Sequence, residues 1–397
     1  MSLDLVKTLG ELIAIPSVNP MGHPATGPEF FETRVTARLE EYFQQLDLPW
    51  ERQTVEPGRD NILARLEGWP SPDEGGELVL WEVHQDTVPV AGMTIPPFTP
   101  EIRDGRLFGR GACDVKGGMA ALLSALSRLA AERSADRARR RPTIVLACTV
   151  SEEFGFTGVT ALSRFWGAGS RLLPKAPDFA IVAEPTELHV VVAHKGVVRW
   201  RCHTRGRAAH SSQPENGDNA IYRMARVVAA LENYAREVAP RLGNHPRCGQ
   251  ATLSVGTIKG GMSVNIVPDH CVIEIDRRMM PGEKALDVYQ SIVDHVTAAA
   301  GGEGIEHDRP FSINPGLADR VNGPLAERLL TAIRPSHPTA ETVGVAYGTD
   351  AATTAAAGVP SVVFGPGSID QAHTADEWID LGQLQAASDV LHRFAAG

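Results

Sequence analysis

The chain has 397 residues, of which 43% are hydrophobic and 22% charged, a composition typical of a globular protein with one large core or two smaller ones. Its net charge of −10 argues against nucleic acid or an anionic membrane as a partner, because both favour a basic face. The five cysteines include no C-x-x-C pair and the first residues lack the pattern of a signal peptide, so we expect a cytoplasmic protein.

The first half of the chain alternates between amphipathic helices and short apolar runs. Helices are predicted for residues 5–13, 29–46 and 115–133. Strands that are covered on both faces are predicted for residues 78–83, 143–150 and 178–183. The alternation predicts an α/β fold in which a mixed, mostly parallel sheet lies between helices.

The pattern changes after about residue 194. Strands are predicted for residues 197–204, 252–258 and 271–278, and helices for residues 219–238 and 283–300. This β-α-β-β-α order predicts a compact α+β module. The helices and strand predicted after residue 309 return to the first domain. We therefore predict a discontinuous domain of residues 1–193 and 310–397, with an inserted α+β domain of residues 194–309.

Side chains that bind metal ions occur in five segments, each at the end of a predicted strand or in a loop beside one. The segments contain His84, Asp114, the pair Glu152-Glu153, Glu184 and His373. Ligands gather at strand ends in open α/β sheets, so we expect these residues to meet there. Two imidazoles with three carboxylates suit Zn²⁺, Co²⁺ or Mn²⁺ rather than Cu⁺ or an iron–sulfur cluster.

The positions of these residues indicate different roles. His84 and Asp86 share one face of a strand end, so we predict that His84 binds metal and that Asp86 orients its ring. Asp114 has two carboxylate oxygens and can bridge two ions about 3.5–4 Å apart. The adjacent Glu152 and Glu153 do not readily point the same way, so one can bind metal while the other acts as general base. Each of these short segments on its own is common in proteins without a metal site. The prediction depends on all of them occurring together in one chain.

The segments around these residues resemble the motifs of one enzyme family over nearly the whole chain. The matching motifs are His84-Gln85-Asp86-Thr87-Val88-Pro89, Gly109-Arg110-Gly111-Ala112-Cys113-Asp114-Val115-Lys116-Gly117-Gly118 and Ser151-Glu152-Glu153-Phe154-Gly155, followed by Glu184 and His373. The family is that of the two-zinc metallohydrolases that include acetylornithine deacetylase, succinyl-diaminopimelate desuccinylase, aminoacylase and carboxypeptidase G. One departure is that Val83 stands where the family usually has glycine.

The resemblance implies a role for each residue of the metal site. One ion is held by His84 and Glu184 and the other by Glu153 and His373, while Asp114 bridges them and Glu152 is the acid and base. It also implies that the peptide bond after Asp114 is cis. Zn²⁺ is the expected metal, with Co²⁺ or Mn²⁺ as substitutes.

The inserted domain resembles the lid and dimerisation domain of this family. His210, in residues 206–212, matches a lid histidine that polarises the scissile carbonyl. Asn265 and Arg278 match residues that hold the substrate carboxylate, Arg278 through a bidentate fork. The resemblance also implies a homodimer formed through this domain.

Two further segments are similar to the acetylornithine deacetylase group. Residues 365–373 resemble its last motif, and Gly348-Thr349-Asp350 resembles its Gly-Thr-Glu, with Asp for Glu. The desuccinylase group tends to have an arginine after this position, and none follows Asp350 here. An acidic Asp350 is instead predicted to meet a cationic substrate side chain such as that of ornithine.

Together these features predict a dimetal enzyme that hydrolyses the amide bond of a small N-acyl-α-amino acid, most simply N-acetylornithine or a similar N-acetyl amino acid. The alternatives within the family are a succinyl-diaminopimelate desuccinylase and an exopeptidase acting on short peptides. A binder of amino-acid derivatives without activity is the alternative from another class. The intact ligands and Glu152 argue against it, and the open ligand set argues against a purely structural zinc site.

Overall fold

The computed structural model describes residues 2–132, 140–167 and 169–397. The chain forms two compact units. The first consists of Met1–Val192, Asp319–Val343 and Thr349–Gly397, and the second of Ala193–Ala318 and Gly344–Gly348. The predicted return to the first domain at residue 310 comes too early, because residues 312–314 form a strand that pairs within the sheet of the second unit.

The helices of the described chain are α1 (Leu5–Ile13), α2 (Thr33–Gln45), α3 (Lys116–Glu132), α4 (Thr157–Phe165), α5 (Ala220–Asn233), α6 (Ala285–Ala300), α7 (Gly323–Ile333), α8 (Ala351–Ala356) and α9 (Leu381–Ala396). The strands up to the middle of the chain are β1 (Trp50–Glu56), β2 (Arg59–Leu66), β3 (Leu78–His84), β4 (Glu101–Arg103), β5 (Arg106–Phe108), β6 (Thr143–Thr149), β7 (Phe179–Val182), β8 (Val190–His194) and β9 (Gly196–Arg205). The later strands are β10 (Asn244–His245), β11 (Gly249–Gln250), β12 (Thr252–Gly260), β13 (His270–Met279), β14 (Ile305–His307), β15 (Ser312–Asn314), β16 (Thr342–Val345), β17 (Ser361–Val363) and β18 (Trp378–Asp380).

The main sheet has eight strands in the order β1-β2-β6-β3-β7-β17-β8-β16. Its four central strands β6, β3, β7 and β17 are parallel, whereas β1 with β2, β2 with β6, and β17 with β8 are antiparallel. The prediction of a mixed α/β sheet between helices is confirmed. The four parallel strands end at one edge of the sheet, and every predicted metal ligand except Asp114 lies at the end of one of these strands or in the loop that follows it.

In the first unit, buried apolar side chains pack against both faces of this sheet. Every residue of β3 and β6 is buried, as expected for central parallel strands. Helix α3 packs against α1 and α9 on one face, and a smaller apolar cluster that includes Leu80 and Leu162 covers the other. Two helix starts are capped by aspartates, since Asp4 accepts from the backbone N–H of Lys7 and Asp380 from that of Gln383.

A buried lysine joins the end of α1 to the start of α3. The Nζ of Lys116 donates to the carbonyl oxygens of Leu12 at 3.0 Å and Ile15 at 2.7 Å. Burial lowers the pKa of Lys116 to about 7. The contact fixes the first turn of the helix that follows Asp114.

The second unit contains an antiparallel sheet in the order β12-β13-β9-β14, with β15 also pairing with β9. Buried and less buried residues alternate along β9 and β13. The buried residues, such as Trp200 and Ile273, pack with Val227 of α5 and Ile292 of α6. The predicted helix 219–238 ends as an α-helix at Asn233 and continues as a π-helical turn over Tyr234–Val238. Among the described residues, no helix combines the length and the apolar character that crossing a bilayer requires.

Candidate metal centre

His84, the last residue of β3, lies at the centre of the first group of ligands. Its Nε2 is 3.2 Å from Oδ1 of Asp114 and 3.7 Å from Oε1 of Glu184. Asp114 lies in the loop before α3, and Glu184 lies two residues after the end of β7. The ligand atoms of these three buried residues all lie within 4.8 Å of one another, so they can converge on one ion.

A second group forms around His373, in the loop between β17 and β18. The Nε2 of His373 is 3.3 Å from Oδ2 of Asp114 and 3.2 Å from Oε2 of Glu153. These ligand atoms also lie within 4.8 Å of one another. Asp114 therefore contributes one carboxylate oxygen to each group. This is the arrangement required of a residue that bridges two ions.

The electrostatics of the five side chains favour cations. Burial and the neighbouring Asp114 carboxylate raise the pKa of Glu153 to about 7, and they raise the pKa of Glu184 well above its usual value. Hydrogen bonds to Asp114 and Glu153 raise the pKa of His373 to about 10. The Oε1 atom of Glu153 is buried and has no hydrogen-bond partner among the described residues. Crowded carboxylates with an unpartnered oxygen fit a pair of divalent ions, which offset the cost of burying their charge.

Asp86 holds several parts of the centre together. Its Oδ1 accepts the backbone N–H of Glu152 at 3.1 Å, and its Oδ2 accepts that of Glu153 at 3.2 Å and the Asn19 side-chain amide at 2.8 Å. The closest partner of His84 Nδ1 is the backbone oxygen of Asp86 at 3.0 Å, whereas the carboxylate is 3.6 Å away. Both the backbone oxygen and the carboxylate of Asp86 lie beside this nitrogen, and the orientation of His84 by the Asp86 side chain stays a prediction.

Glu152 lies beside the centre and belongs to neither group of three. It is buried, and burial together with the charges of Glu184 and Asp350 raises its pKa well above the usual value. A carboxyl group with a raised pKa is suited to exchange protons near neutral pH. The turn that carries it is fixed at Ser151, whose backbone N–H donates to Glu32, itself paired with Arg59 in a buried ion pair.

The structure reveals a residue of the centre that the sequence analysis did not identify. Glu377, fully buried, accepts the backbone N–H groups of Gly111, Cys113 and Asp114, each at 2.9 Å, and pairs with Arg110 at 2.8 Å. It therefore fixes the loop that presents Asp114. The only signal in the sequence is an acidic residue four positions after His373.

Two features of that loop restrict its backbone. Gly111 has a φ of 81°, a conformation that favours glycine, and a Cβ atom there would lie 2.9 Å from the Cγ2 of Thr87. The peptide bond between Asp114 and Val115 is cis, as the family resemblance implied.

The structure separates the predicted substrate residues at positions 348–350. Gly348 belongs to the second unit, whereas Thr349 and Asp350 belong to the first and are buried. Asp350 is 1% exposed, and its Oδ2 accepts the Thr149 hydroxyl at 3.2 Å. The prediction that Asp350 meets a cationic substrate side chain is therefore corrected, because the first unit encloses this carboxylate next to Glu82.

The remaining predicted substrate residues lie in the second unit. His210 is exposed, and its Nδ1 is 2.7 Å from the Ser212 hydroxyl. Asn265 is close by, since its backbone oxygen accepts the N–H of Ser211 at 3.0 Å. Arg278 lies on β13, where its Nε donates to Asp276 at 2.8 Å.

Comparison with known proteins places the chain in a family. Residues 80–397 match the model described as peptidase family M20/M25/M40. The chain belongs to the M20 family. The match covers all the predicted metal ligands, and it confirms the prediction of a hydrolase from a family of metal-dependent enzymes that cleave amide bonds.

Curated relatives of this M20 protein share about a third of its sequence. It is 32% identical to the acetylornithine deacetylase of Photorhabdus laumondii over 343 residues. This match covers 84% of this chain and 82% of the relative. It is 30% identical over 398 residues to the acetylornithine deacetylase of Proteus mirabilis, with 97% and 94% covered.

Solved structures share the fold at lower identity. An M20 family metallo-carboxypeptidase from Sulfolobus solfataricus matches with a TM-score of 0.78 and 17% identity, covering 99% of both chains. Human carnosine dipeptidase 1 matches with a TM-score of 0.78 and 16% identity, covering 99% of this chain and 96% of the other. A protein from Bacillus subtilis described as a dinuclear metal binding peptidase of the M20 family matches with a TM-score of 0.65 and 16% identity, covering 99% of this chain and 96% of the other.

Proposed function

We propose that this M20 protein uses two divalent metal ions to remove the acyl group from a small N-acyl-α-amino acid. The observation that carries the proposal is that two groups of three ligands share Asp114. His84 and Glu184 would complete one ion site, and Glu153 and His373 the other. Two imidazoles and three carboxylates favour Zn²⁺, with Co²⁺ or Mn²⁺ as substitutes.

Ions bound there supply Lewis-acid polarisation of the amide carbonyl and lower the pKa of water. The chain supplies the proton transfers. Glu152 accepts a proton from the attacking water as the new C–O bond forms, and donates it to the amide nitrogen as the C–N bond breaks. The products are a carboxylic acid and the free amino acid. In the metal-free chain burial raises the pKa of Glu152 well above its usual value, which is the direction that suits a group exchanging protons near neutral pH.

All the proposed substrate residues except Thr349 belong to the second unit. His210 would polarise the scissile carbonyl, while Asn265 and Arg278 would bind the substrate carboxylate. The guanidinium of Arg278 donates to Asp276 through Nε, which fixes its plane and leaves its terminal nitrogens to form a bidentate pair. Gly348 and Thr349 would contribute backbone contacts. The second unit would act as a lid and form a homodimer, and the enzyme would work in the cytoplasm.

The two acetylornithine deacetylases named above favour N-acetylornithine or a similar N-acetyl amino acid as the substrate. The absence of an arginine after Asp350 argues against a succinyl group. Burial of Asp350 means that a cationic substrate side chain needs another partner, so the preference for ornithine rests on the relatives alone.

The test measures amine release from N-acetyl, N-formyl and N-succinyl amino acids and from dipeptides. The protein is stripped with a chelator and assayed before and after reloading with Zn²⁺ or Co²⁺. We expect metal-dependent release that is fastest with N-acetylornithine. Faster release from N-succinyl substrates or dipeptides would show that the proposed substrate class is wrong. The proposed mechanism of amide hydrolysis would still hold. Two bound ions with no release from any substrate would favour a binding protein.

A further inference from the structure

The second unit contains a buried lysine at the start of its sheet. Lys195 directly precedes β9, and only 6% of its surface is exposed. Among the residues that the structure describes, none forms an ion pair or a hydrogen bond with its ammonium group. Lysine is almost never buried without a charged partner. The chain has 48 acidic and 38 basic residues, so a buried ammonium group without a carboxylate needs an explanation.

Further positive charge lies next to Lys195. In the register of the sheet Val197 of β9 lies opposite Arg278 of β13, so Lys195 and Arg278 are diagonal neighbours at this end of the two strands. Burial and the guanidinium groups of Arg278 and Arg277 lower the pKa of Lys195, against the opposing influence of the Cys248 thiol. Three long cationic side chains therefore lie close together where β9 begins.

The carboxylates of this region do not balance all of these charges. Arg277 is fully buried and pairs with Glu283 at 3.1 Å. Asp276 is shared, because it accepts from Arg278 at 2.8 Å and from Arg199 at 2.7 Å. One carboxylate thus serves two guanidinium groups, and the lysine ammonium pairs with neither carboxylate. The region carries a surplus of positive charge in a protein whose net charge is −10.

An anion that binds beside a buried cation offsets the cost of burying its charge. Arg278 can bind the same anion, because its contact with Asp276 uses Nε and leaves the two terminal nitrogens. A carboxylate group suits this pair of cations. It takes parallel hydrogen bonds from the guanidinium fork, and it has a lone pair left for the ammonium group.

We propose that Lys195 binds the substrate carboxylate together with Arg278, as a further substrate-binding residue of this enzyme. The inference rests on the proposed function, because the ligand is the N-acyl-α-amino acid itself. Arg278 fixes the plane of the carboxylate, and Lys195 supplies a second positive charge. A substrate with an uncharged amide in place of the carboxylate leaves both cations without a partner. Lys195 therefore adds selectivity for free N-acyl amino acids over their amides.

Kinetics with N-acetylalanine and N-acetylalanine amide test this role. Loss of a hydrogen bond between charged groups should raise the KM of Lys195→Gln for N-acetylalanine about 10–100-fold. The kcat and the KM for the amide should not change, because the lost contact is to the carboxylate and does not change during the reaction. Lys195→Arg keeps the charge and should restore most of the affinity. Lys284→Gln, at an exposed lysine of the same unit, is the matched control and should leave every value unchanged.

Chemical labelling gives a measurement that does not depend on turnover. The metal-free, full-length protein is treated with a trace of acetic anhydride, and mass spectrometry quantifies the acetylation of Lys195 and Lys284. Addition of N-acetylalanine should reduce the labelling of Lys195, because a bound carboxylate covers the amine and raises its pKa. The amide should give no such protection, and the labelling of Lys284 should stay constant with both compounds.

The inference is overturned if Lys195→Gln, folded by circular dichroism, keeps the KM of the unmodified chain or loses kcat alone. Equal protection of Lys195 by the two compounds, or no protection by either, overturns it as well. Protection by N-acetylalanine, together with no turnover of any substrate by the zinc-loaded chain, would refute the proposed hydrolysis and support the carboxylate site. The two failures are therefore distinguishable.

Discussion

The carboxylate of Asp86 accepts the backbone N–H of Glu153 at 3.2 Å. This hydrogen bond joins the strand end that carries His84 to the turn that carries a ligand of the other group. Because Asp86 also accepts the N–H of Glu152, one side chain sets the positions of both glutamates of that turn. Its influence on the centre is wider than the orientation of one imidazole.

Replacement of Asp86 by asparagine should weaken metal binding in both groups of ligands. An amide offers one acceptor oxygen in place of two, so one of the backbone N–H groups of Glu152 and Glu153 loses its partner. We expect the affinity for Zn²⁺ to fall about 10–100-fold, measured by competition with a chelating dye. Asp389→Asn, at a more exposed aspartate paired with Arg128, is the control and should bind zinc normally. Unchanged affinity in Asp86→Asn would show that the turn holds its position without this carboxylate.

Glu152→Gln should separate catalysis from metal binding. Glutamine has the same shape but cannot take up the proton of the attacking water, so turnover should fall at least about 10²–10⁴-fold. The number of bound zinc ions, measured by elemental analysis, should remain two, because Glu152 belongs to neither group of three. Glu303→Gln, at an exposed glutamate, should keep full activity. Substantial turnover in Glu152→Gln would remove this residue from its proposed role.

Glu377→Gln should destabilise the fold as well as the centre. The substitution leaves the buried Arg110 guanidinium without a charged partner, and breaking a buried pair from one side costs about 3–5 kcal/mol. Denaturant unfolding of the metal-free proteins measures the loss without any contribution from bound ions. Glu101→Gln changes an exposed glutamate and should alter the free energy of unfolding by less than about 0.5 kcal/mol. Equal stability of the two variants would contradict the assigned role of Glu377.

Metal binding to the second group should strengthen as the pH rises. In the metal-free chain the pKa of Glu153 is raised to about 7 and that of His373 to about 10, and both must lose their protons to bind an ion. Protons therefore compete with the metal at Glu153 up to about pH 7 and at His373 up to about pH 10, and binding below pH 10 should release protons. Calorimetry in buffers of different ionisation enthalpy counts the protons released. Affinity that does not change with pH below about 10 would contradict these shifted pKa values.

The larger apolar cluster, in which residues of the sheet pack with helices α1, α3 and α9, should be sensitive to loss of volume. Leu146, on β6, is fully buried in this cluster, so Leu146→Ala should lower the free energy of unfolding by about 2–5 kcal/mol. Leu286→Ala is the control, because that side chain is 62% exposed. Thermal or denaturant unfolding compares the two variants. A small effect at Leu146 would mean that its neighbours close the cavity.

The parallel strands and their ligands could be predicted because buried strands appear as continuous apolar runs with polar residues at their ends. β3, β6 and β7 have this form. β1 was not predicted, since five of its seven residues are polar or charged, a composition that does not distinguish this edge strand from an extended loop. The end of the second unit could not be predicted either, because a very short strand shows no recognisable sequence pattern. β15 is three residues long, and only its pairing with β9 assigns it to that unit.

The roles of two carboxylates could not be predicted because they depend on contacts distant in the sequence. Glu377 accepts backbone N–H groups that lie more than 260 residues earlier. Asp350 is the last residue of a segment similar to a substrate motif, yet the fold encloses it beside Thr149. The sequence shows that a carboxylate follows a strand, but it does not show whether that carboxylate faces substrate or the protein interior.

The five metal ligands occur at positions from 84 to 373 of the chain and meet only when the first unit is folded. An unfolded chain cannot bring them together, so each ion binds the native state alone. At a free metal concentration 100 times the dissociation constant, one such ion adds about 2.7 kcal/mol to the free energy of unfolding. Resistance to heat and proteolysis therefore depends on the supply of metal as well as on the amino-acid sequence.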